Sequence, residues 1–402
     1  MNDAHLQTVQ LDDLGALRIA GADAQRFLQG QLSNDLGRVG AERSVLAGLH
    51  TPQGRTIALL RIVHLAPGDL LALLPRELAA GVASRLSRYV LRAKVKVTDE
   101  SSSWRITGLV ACGLGAATEA RAPSTASATL AAYPVIAGAQ RRVGERVVIC
   151  IGEQPARWLI IAQAADARAS DAGLPSADGL PQSVAVRREV WRQLDIIAGL
   201  PQVYGATSEE FVAQMLNLDI VGAIAFDKGC YTGQEVIARA HYRGRVKRRM
   251  QRFRSRGPLD LAPGDSGELP DGRAFKVVEA VRLEDGRCEF LAVAPLPSAE
   301  PELSAATQPD AMLERVSAPL ALRPSQAGAA ALTRTNVGAP ATGAALHAAV
   351  PAELSTTGAV WAPFATSPGG PRRAGAPTPP PSLAEELPHD LERLDLPYAL
   401  PD

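Results

Sequence analysis

The 402-residue sequence predicts a mixed α+β fold ending in a small all-β module, followed by a long low-complexity stretch and a short final strand. Three observations predict it. Short apolar runs alternate with helical spacing up to residue 243, turn-punctuated strand runs follow Gly244, and the composition changes abruptly near residue 298.

Taken in order, Asp23-Ala-Gln-Arg-Phe-Leu-Gln-Gly reads as a helix capped by Asp23 and stopped at Gly30. Val45 to Gly48, Ile57 to Leu65 and Asp69 to Leu74 read as strands, separated by turns at Pro52-Gln53-Gly54 and Pro67-Gly68. Glu77 to Val90 places Leu78, Val82, Leu86 and Val90 at fourfold spacing and predicts a helix; Arg92 to Thr98 alternates and predicts a strand. Arg146 to Ile151 and Trp158 to Ile161 read as a second strand pair, and Glu189 to Ile197 and Glu209 to Leu216 as helices. Beyond Gly244, turns at Pro263-Gly264, Asp271-Gly272 and Asp285-Gly286 divide an all-β module. From Pro301 to Glu386 about a quarter of the residues are Ala and thirteen are Pro, so the segment lacks the apolar surface to offset its ordering entropy and is expected to be disordered. Leu391 to Leu400 regains apolar alternation and predicts an edge strand, with Pro397 marking the edge. The expected division is 1–243 in two subdomains, 244–297 as a small β-barrel completed by strand 391–400, and 298–387 as the disordered segment.

Composition excludes several classes. With 42 basic and 42 acidic residues the net charge is zero, which argues against a protein that coats nucleic acid or an acidic membrane through its overall field. Cys112, Cys150, Cys230 and Cys288 form no CxxC pair, against a zinc ribbon, a redox dithiol or a self-contained four-cysteine cluster. Met1 to Gln7 carries no signal-like region, and the most apolar stretch, Ile57 to Leu74, is broken by Arg61, His64, Pro67 and Asp69. A cytoplasmic, reducing setting without a membrane span is expected.

The segment Asp227-Lys-Gly-Cys-Tyr-Thr-Gly-Gln-Glu235 carries the chemistry. Thr232 to Glu235 fits a capping box, which would set Cys230 just outside a helix N-terminus and two residues from Lys228. The helix dipole and the ammonium would both favour a thiolate. Gly229 and Gly233 would let the backbone turn tightly or approach a ligand. The same residues also describe a glycine-rich turn around a buried, inert cysteine.

Lys228-Gly-Cys-Tyr-Thr-Gly-Gln-Glu235 resembles the signature of the YgfZ family of folate-binding, iron–sulfur-associated proteins, which is related to the glycine cleavage T-protein, an aminomethyltransferase. Further similar blocks follow in order: Phe27 to Asp35, Thr51 to Arg55, Tyr89 to Lys96, Asp195 to Pro201, Asn217 to Asp219 and Tyr242 to Arg248. The likeness spans roughly residues 10 to 295. It implies a ring-like, three-subdomain aminomethyltransferase-type fold with tetrahydrofolate in a central channel, and a role in assembling or repairing iron–sulfur enzymes, including tRNA-modifying ones, under oxidative stress. Lys228 and Cys230 would be the functional pair, Cys230 serving as nucleophile, iron–sulfur ligand or docking group. Asn34, Asp35, Arg55, Tyr231, Gln234, Glu235, Arg239 and Arg243 would shape or contact the folate site. The implied partners are iron–sulfur enzymes or cluster carriers, with no membrane and no direct nucleic-acid binding. A folate-dependent one-carbon transferase and a folate-free adaptor are the alternatives. One position departs: Ile197 stands where many relatives carry a glutamate able to bond the pterin ring, and Asp195, two residues earlier, should face elsewhere on a helix.

Nine basic residues between Arg239 and Arg256 read as an anion site or as a solvated strand face. Gly264-Asp-Ser-Gly267 reads as a turn rather than a protease nucleophile loop, and Gly113-Leu-Gly115 is a lone GxG. His50, His64 and His241 lack ligand spacing and are expected to be satisfied or exposed. Deleting residues 301–386 is expected to leave the urea midpoint and the cooperativity of unfolding unchanged; a broadened transition would contradict the assignment of that segment.

Overall fold

The computed structural model describes residues 5–112, 130–164, 184–244, 246–296 and 391–401, so the Ala/Pro-rich segment and Gly113-Leu-Gly115 lie outside the described residues. In chain order these form β1 (His5–Gln10), β2 (Leu14–Ala20), α1 (Ala24–Gln29), β3 (Val45–His50), β4 (Thr56–Ala66), β5 (Asp69–Pro75), α2 (Arg76–Ser87), β6 (Lys96–Asp99) and β7 (Trp104–Cys112). There follow β8 (Gln140–Val143), β9 (Arg146–Glu153), β10 (Ala156–Gln163), β11 (Val184–Ala185), α3 (Arg188–Ile197), α4 (Gln234–Tyr242), β12 (Arg248–Pro258), β13 (Ser266–Glu268), β14 (Ala274–Arg282), β15 (Arg287–Pro295) and β16 (Leu391–Leu394). No helix among the described residues is long and apolar enough to cross a membrane.

Three sheets result, ordered β11-β1-β7-β10-β9-β8, β3-β4-β5-β2-β6 and β13-β14-β15-β12-β16. The middle of the second sheet is buried on both faces, which explains the near-continuous apolar run of β4 and β5. Ala58, Leu60 and Ile62 on β4, with Leu70, Ala72 and Leu74 on β5, pack into one core with Phe27 and Leu28 of α1 and Ala79, Val82 and Leu86 of α2. The alternate residues point the other way, so Leu59, Arg61 and Val63 share a face. Leu59 and Val63 join two further apolar clusters there, and the charged Arg61 lies between them.

Several expectations are corrected. The Glu209 to Leu216 helix is not formed beyond a 3-10 turn at Ala213–Leu216. Glu209 takes φ 62°, and the segment bonds instead to the start of β4, through Glu209 N to Thr56 O (2.8 Å) and Thr56 N to Phe211 O (2.7 Å). The α2 helix ends at Ser87, and the strand that follows starts only at Lys96, where pairing with β2 begins. Asp23 precedes α1 without capping it, because its carboxylate accepts from Lys94 N (2.8 Å). The third sheet is open rather than a barrel among the described residues: β13 pairs only with β14, and β16 only with β12. The glycine turns of that sheet hold as read, with Gly264, Gly272 and Gly286 at positive φ.

The edge strand β16 forms as the sequence predicts, pairing Leu391 to Leu394 with Ser255 to Arg252. Just beyond it, Tyr398 Oη donates to Gly199 O (2.7 Å) and accepts from Asn217 Nδ2 (3.3 Å). Replacing Tyr398→Phe removes both bonds and is expected to cost about 1 kcal/mol, read as a lowered urea midpoint at unchanged slope. An unshifted midpoint would mean that packing alone holds the terminal segment.

Candidate functional site

Two pieces of the molecule carry the candidate chemistry: the signature loop and a cavity between the sheets. The loop is fastened first by residues 31–35. Ser33 Oγ donates to Ala223 O (2.8 Å) and accepts from Gly48 N (2.9 Å), while Asn34 Nδ2 donates to Leu46 O (2.7 Å) and Gly222 O (2.8 Å). These bonds hold the chain entering the signature against β3. Lys228 then reaches back to α1, donating from Nζ to Gln29 O and Leu32 O, both at 2.6 Å, and lying 4.9 Å from the centre of the Tyr231 ring. Its ammonium thus meets carbonyls at the end of a helix, where a cation is favoured. Burial lowers its pKa to about 8, with Asp35 opposing.

The other side of the loop is a glycine interlock. Gly233 takes φ 84°, and a Cβ there would meet Thr51 O at 2.5 Å and Gly54 Cα at 3.2 Å. Gly54 takes φ 75° and lies against Val236 of α4. The Thr51 to Arg55 block and the signature therefore interlock through two residues that tolerate neither a side chain nor ordinary backbone angles. Gly229 is different: a Cβ there meets nothing within 4 Å.

The expected capping box is absent. Gly233, not Thr232, precedes α4, and no side chain caps the helix, since the left-handed backbone at Gly233 displaces Thr232 from the N-cap position. Cys230 is exposed and free, four residues ahead of Gln234. Tyr231 is buried, and burial pushes its phenol up to about 12. Gln234 Nε2 donates to Lys228 O (3.4 Å) within the loop. Asp35 accepts from Gln29 Nε2 (3.1 Å) and Gly37 N (2.9 Å), and Arg55 donates to Glu210 O (2.6 Å). Glu235, Arg239 and Arg243 are exposed on and after α4. His50, expected to be satisfied or exposed, is neither: it is fully buried beside Tyr231 with both ring nitrogens unpartnered, and burial lowers its pKa to about 3.

The cavity lies elsewhere, enclosing about 90 Å³ between β4, β5, β10, α3 and β14. Its polar wall is the face of α3 bearing Arg188, Trp191, Arg192 and Asp195, at i, i+3, i+4 and i+7. Asp195 accepts from Arg157 Nη1 at 2.7 Å, and Arg157 is only 2% exposed. Burial pushes the Asp195 carboxyl up while Arg157 and Arg61 pull it down. Trp191 lies against Gly108 of β7, where any side chain would clash, and Arg157 stacks over it 5.4 Å from the ring centre. Tyr204 donates to Glu279, and both pKa values are raised by burial. Arg61 makes no hydrogen bond or ion pair among the described residues, and burial lowers its pKa to about 10. Asp13 Oδ1, Arg188 Nε and Arg192 Nε are buried without a hydrogen-bond partner. Buried acceptors and donors left open around one cavity fit a ligand that offers both.

Asp195 faces this cavity and Ile197 does not line it, the reverse of what the helix argument led one to expect. Of the residues assigned to the folate site by resemblance, only Asn34 borders either this cavity or an adjoining one of about 270 Å³. The missed residues left two signals: an arginine centred in an apolar strand, and a charged and aromatic row at helical spacing on α3. Three of the nine residues of the basic run are ion-paired within the fold. Arg249 pairs with Asp219 (2.9 Å), and Arg252 and Arg254 both pair with the fully buried Glu289.

The described residues do not fit a resident iron–sulfur cluster. No group of three or more His, Cys, Asp or Glu side chains among them could hold a metal, and Cys150 and Cys288 are buried in separate cores.

No model of a known protein family matches the chain. The crystal structure of glycine cleavage system aminomethyltransferase T from Bartonella henselae aligns with a TM-score of 0.56 at 13% identity, covering 73% of this chain and 79% of that one. The fold is therefore of the aminomethyltransferase type. In sequence, the tRNA-modifying protein YgfZ of Edwardsiella ictaluri is 31% identical over 295 residues, 72% of this chain and 84% of the relative. Its counterpart from Colwellia psychrerythraea is 27% identical over 326 residues, 78% of this chain and 93% of the relative. The chain belongs to the YgfZ family.

Replacing Lys228→Met leaves the carbonyls of Gln29 and Leu32 unpaired and is expected to cost about 2 kcal/mol. Because the folded pKa lies below the unfolded one, the native lysine gains stability as pH rises from about 8 toward its unfolded value. The variant should therefore trail the native chain by more at pH 10 than at pH 7 in urea titrations; an equal gap would place the ammonium in solvent.

Proposed function

We propose that this protein is a tetrahydrofolate-binding factor in tRNA modification that supports the iron–sulfur enzymes carrying it out. The observation that carries the reading is Asp195, a carboxylate braced by a buried arginine and turned into a cavity between β4, β5, β10, α3 and β14 of an aminomethyltransferase-type fold. A pterin offers an edge of N–H donors that such a carboxylate accepts, carbonyl and ring-nitrogen acceptors for the arginines, and a flat face for Trp191 and Tyr204. Asp195 supplies the acceptor that Ile197 cannot. A ring-like arrangement of three subdomains around this cavity is the architecture in keeping with the reading.

The tRNA side rests on the relatives, which are described as tRNA-modifying proteins. The iron–sulfur side rests on Cys230, an exposed thiol at the head of the loop that Lys228 and Gly233 hold in place. With no cluster site among the described residues, clients or cluster carriers would bring the iron, and the thiol would meet it as a soft ligand or nucleophile. Aminomethyl transfer is the second reading, favoured by the fold; methylene-tetrahydrofolate formation from an aminomethyl carrier would establish it.

Calorimetric titration with tetrahydrofolate should show binding that Asp195→Asn weakens at least tenfold, about 1.4 kcal/mol. No binding to the native chain would sink the folate reading, and unchanged affinity in the variant would remove Asp195 from the site. In cells lacking the protein, Cys230→Ala should fail to restore tRNA thiolation; full rescue would dismiss the thiol.

A further inference from the structure

The Tyr89 to Lys96 block belongs neither to the signature loop nor to the cavity. The α2 helix ends at Ser87, and the chain then turns through Tyr89 N to Leu86 O (3.0 Å) and Ala93 N to Val90 O (2.8 Å). Val90 and Val95 pack against the core, and the residues around them face outward. Tyr89 is 50% exposed, and Leu91 is 88% exposed at φ 44°. An exposed leucine in the left-handed region carries backbone strain and contributes no burial, so nothing inside this fold accounts for it. Beside it Arg88, Arg92, Lys94 and Lys96 are exposed, and their side chains make no hydrogen bond or ion pair among the described residues. No carboxylate occurs between Glu77 and Asp99. Asp23, which meets the turn, is engaged by Lys94 N (2.8 Å) and by Arg26 (2.9 Å). Lys96 lies on β6 at a sheet edge, where a lysine deters strand pairing, but Arg88, Leu91 and Arg92 lie off the strand.

The α1 helix ties this turn to the signature loop. Asp23, just before the helix, bonds Lys94 in both directions, and the carbonyls of Gln29 and Leu32 at its other end hold Lys228. Its six residues span about 9 Å. Zero net charge argues against a diffuse field and leaves room for a local one. Free cations without neighbouring carboxylates suit successive phosphates, and an exposed tyrosine beside an apolar tip offers a face to an unstacked base. We propose that residues 88–96 form an RNA-docking surface, which seats tRNA phosphates on the four cations and a looped-out base on Tyr89 and Leu91, beside the loop that presents Cys230. The proposal rests on the reading of this protein as a factor in tRNA modification.

The test measures binding of unfractionated tRNA to the full chain by fluorescence anisotropy between about 50 and 200 mM salt. The affinity should fall with a log–log slope of about −3, the value that four phosphate contacts require. Arg88→Gln combined with Arg92→Gln should weaken binding roughly tenfold or more and make the slope shallower by about two. Leu91→Gly suits φ 44° better, so it should not lower the urea midpoint, yet it should weaken tRNA binding about threefold or more. No binding of tRNA to the native chain, or unchanged binding in either variant, would overturn the proposal. So would equal binding, with the same dependence on Arg88 and Arg92, to phosphatidylserine–phosphatidylcholine vesicles or to polyglutamate. Cells lacking the protein test the underlying reading separately. Restored tRNA thiolation by a native chain that binds no tRNA ends the surface alone, and tRNA binding through the turn without restored thiolation ends the reading alone.

Discussion

The Arg157–Asp195 pair is the constraint around which the walls of the cavity between the sheets are arranged. Arg157 enters from β10 and is almost wholly buried, so its charge requires a partner, and Asp195 is brought to it by the last turn of α3. Room is made by two glycines: Gly152, where a Cβ would meet Arg157 Nε at 2.8 Å, and Gly108, on which Trp191 lies. Breaking such a pair from one side costs about 3–5 kcal/mol, because the abandoned charge stays buried. The pair thus fixes the roll of α3, and with it the row Arg188, Trp191, Arg192 and Asp195 that walls the cavity. From the outer face of the same helix, Gln193 Nε2 donates to the buried Glu289 of β15 at 3.3 Å, which ties the helix to the third sheet.

The signature loop obeys a different logic. Its residue types look catalytic in the sequence, yet most of them build the loop. Lys228 is committed to carbonyls, Tyr231 is buried, Gly233 fits a backbone-sized space, and Gln234 closes the loop on itself. Cys230 faces outward, as Glu235 does on α4, and is preceded by a glycine with open space around it. A rigid frame around one free thiol suits chemistry performed on an incoming molecule more than chemistry inside a pocket.

Legibility in the sequence followed the range of the determining interaction. The strands β3, β4 and β5, the glycine turns of the third sheet and the edge strand β16 were readable because alternation and turn chemistry are local. The Glu209 to Leu216 segment was misread because its apolar spacing is helical while its backbone bonds go to β4, a partner more than a hundred residues away. The capping box failed for a related reason: the interlock of Gly233 with Gly54 sets the backbone, and the local pattern yields. Asp195 was discounted from helical angles alone, since nothing nearby in sequence announces Arg157. The basic run misled because its partners, Asp219 and Glu289, lie on other elements.

The β16 strand has a consequence for how the chain is held together. It takes its place on β12 although residues 297–390 separate it in sequence from β15. The last residues are in effect a tethered ligand of the folded body, seated by main-chain bonds along β12 and anchored by one phenol. A break in the connection would turn a fold into a complex, with its stability now dependent on concentration.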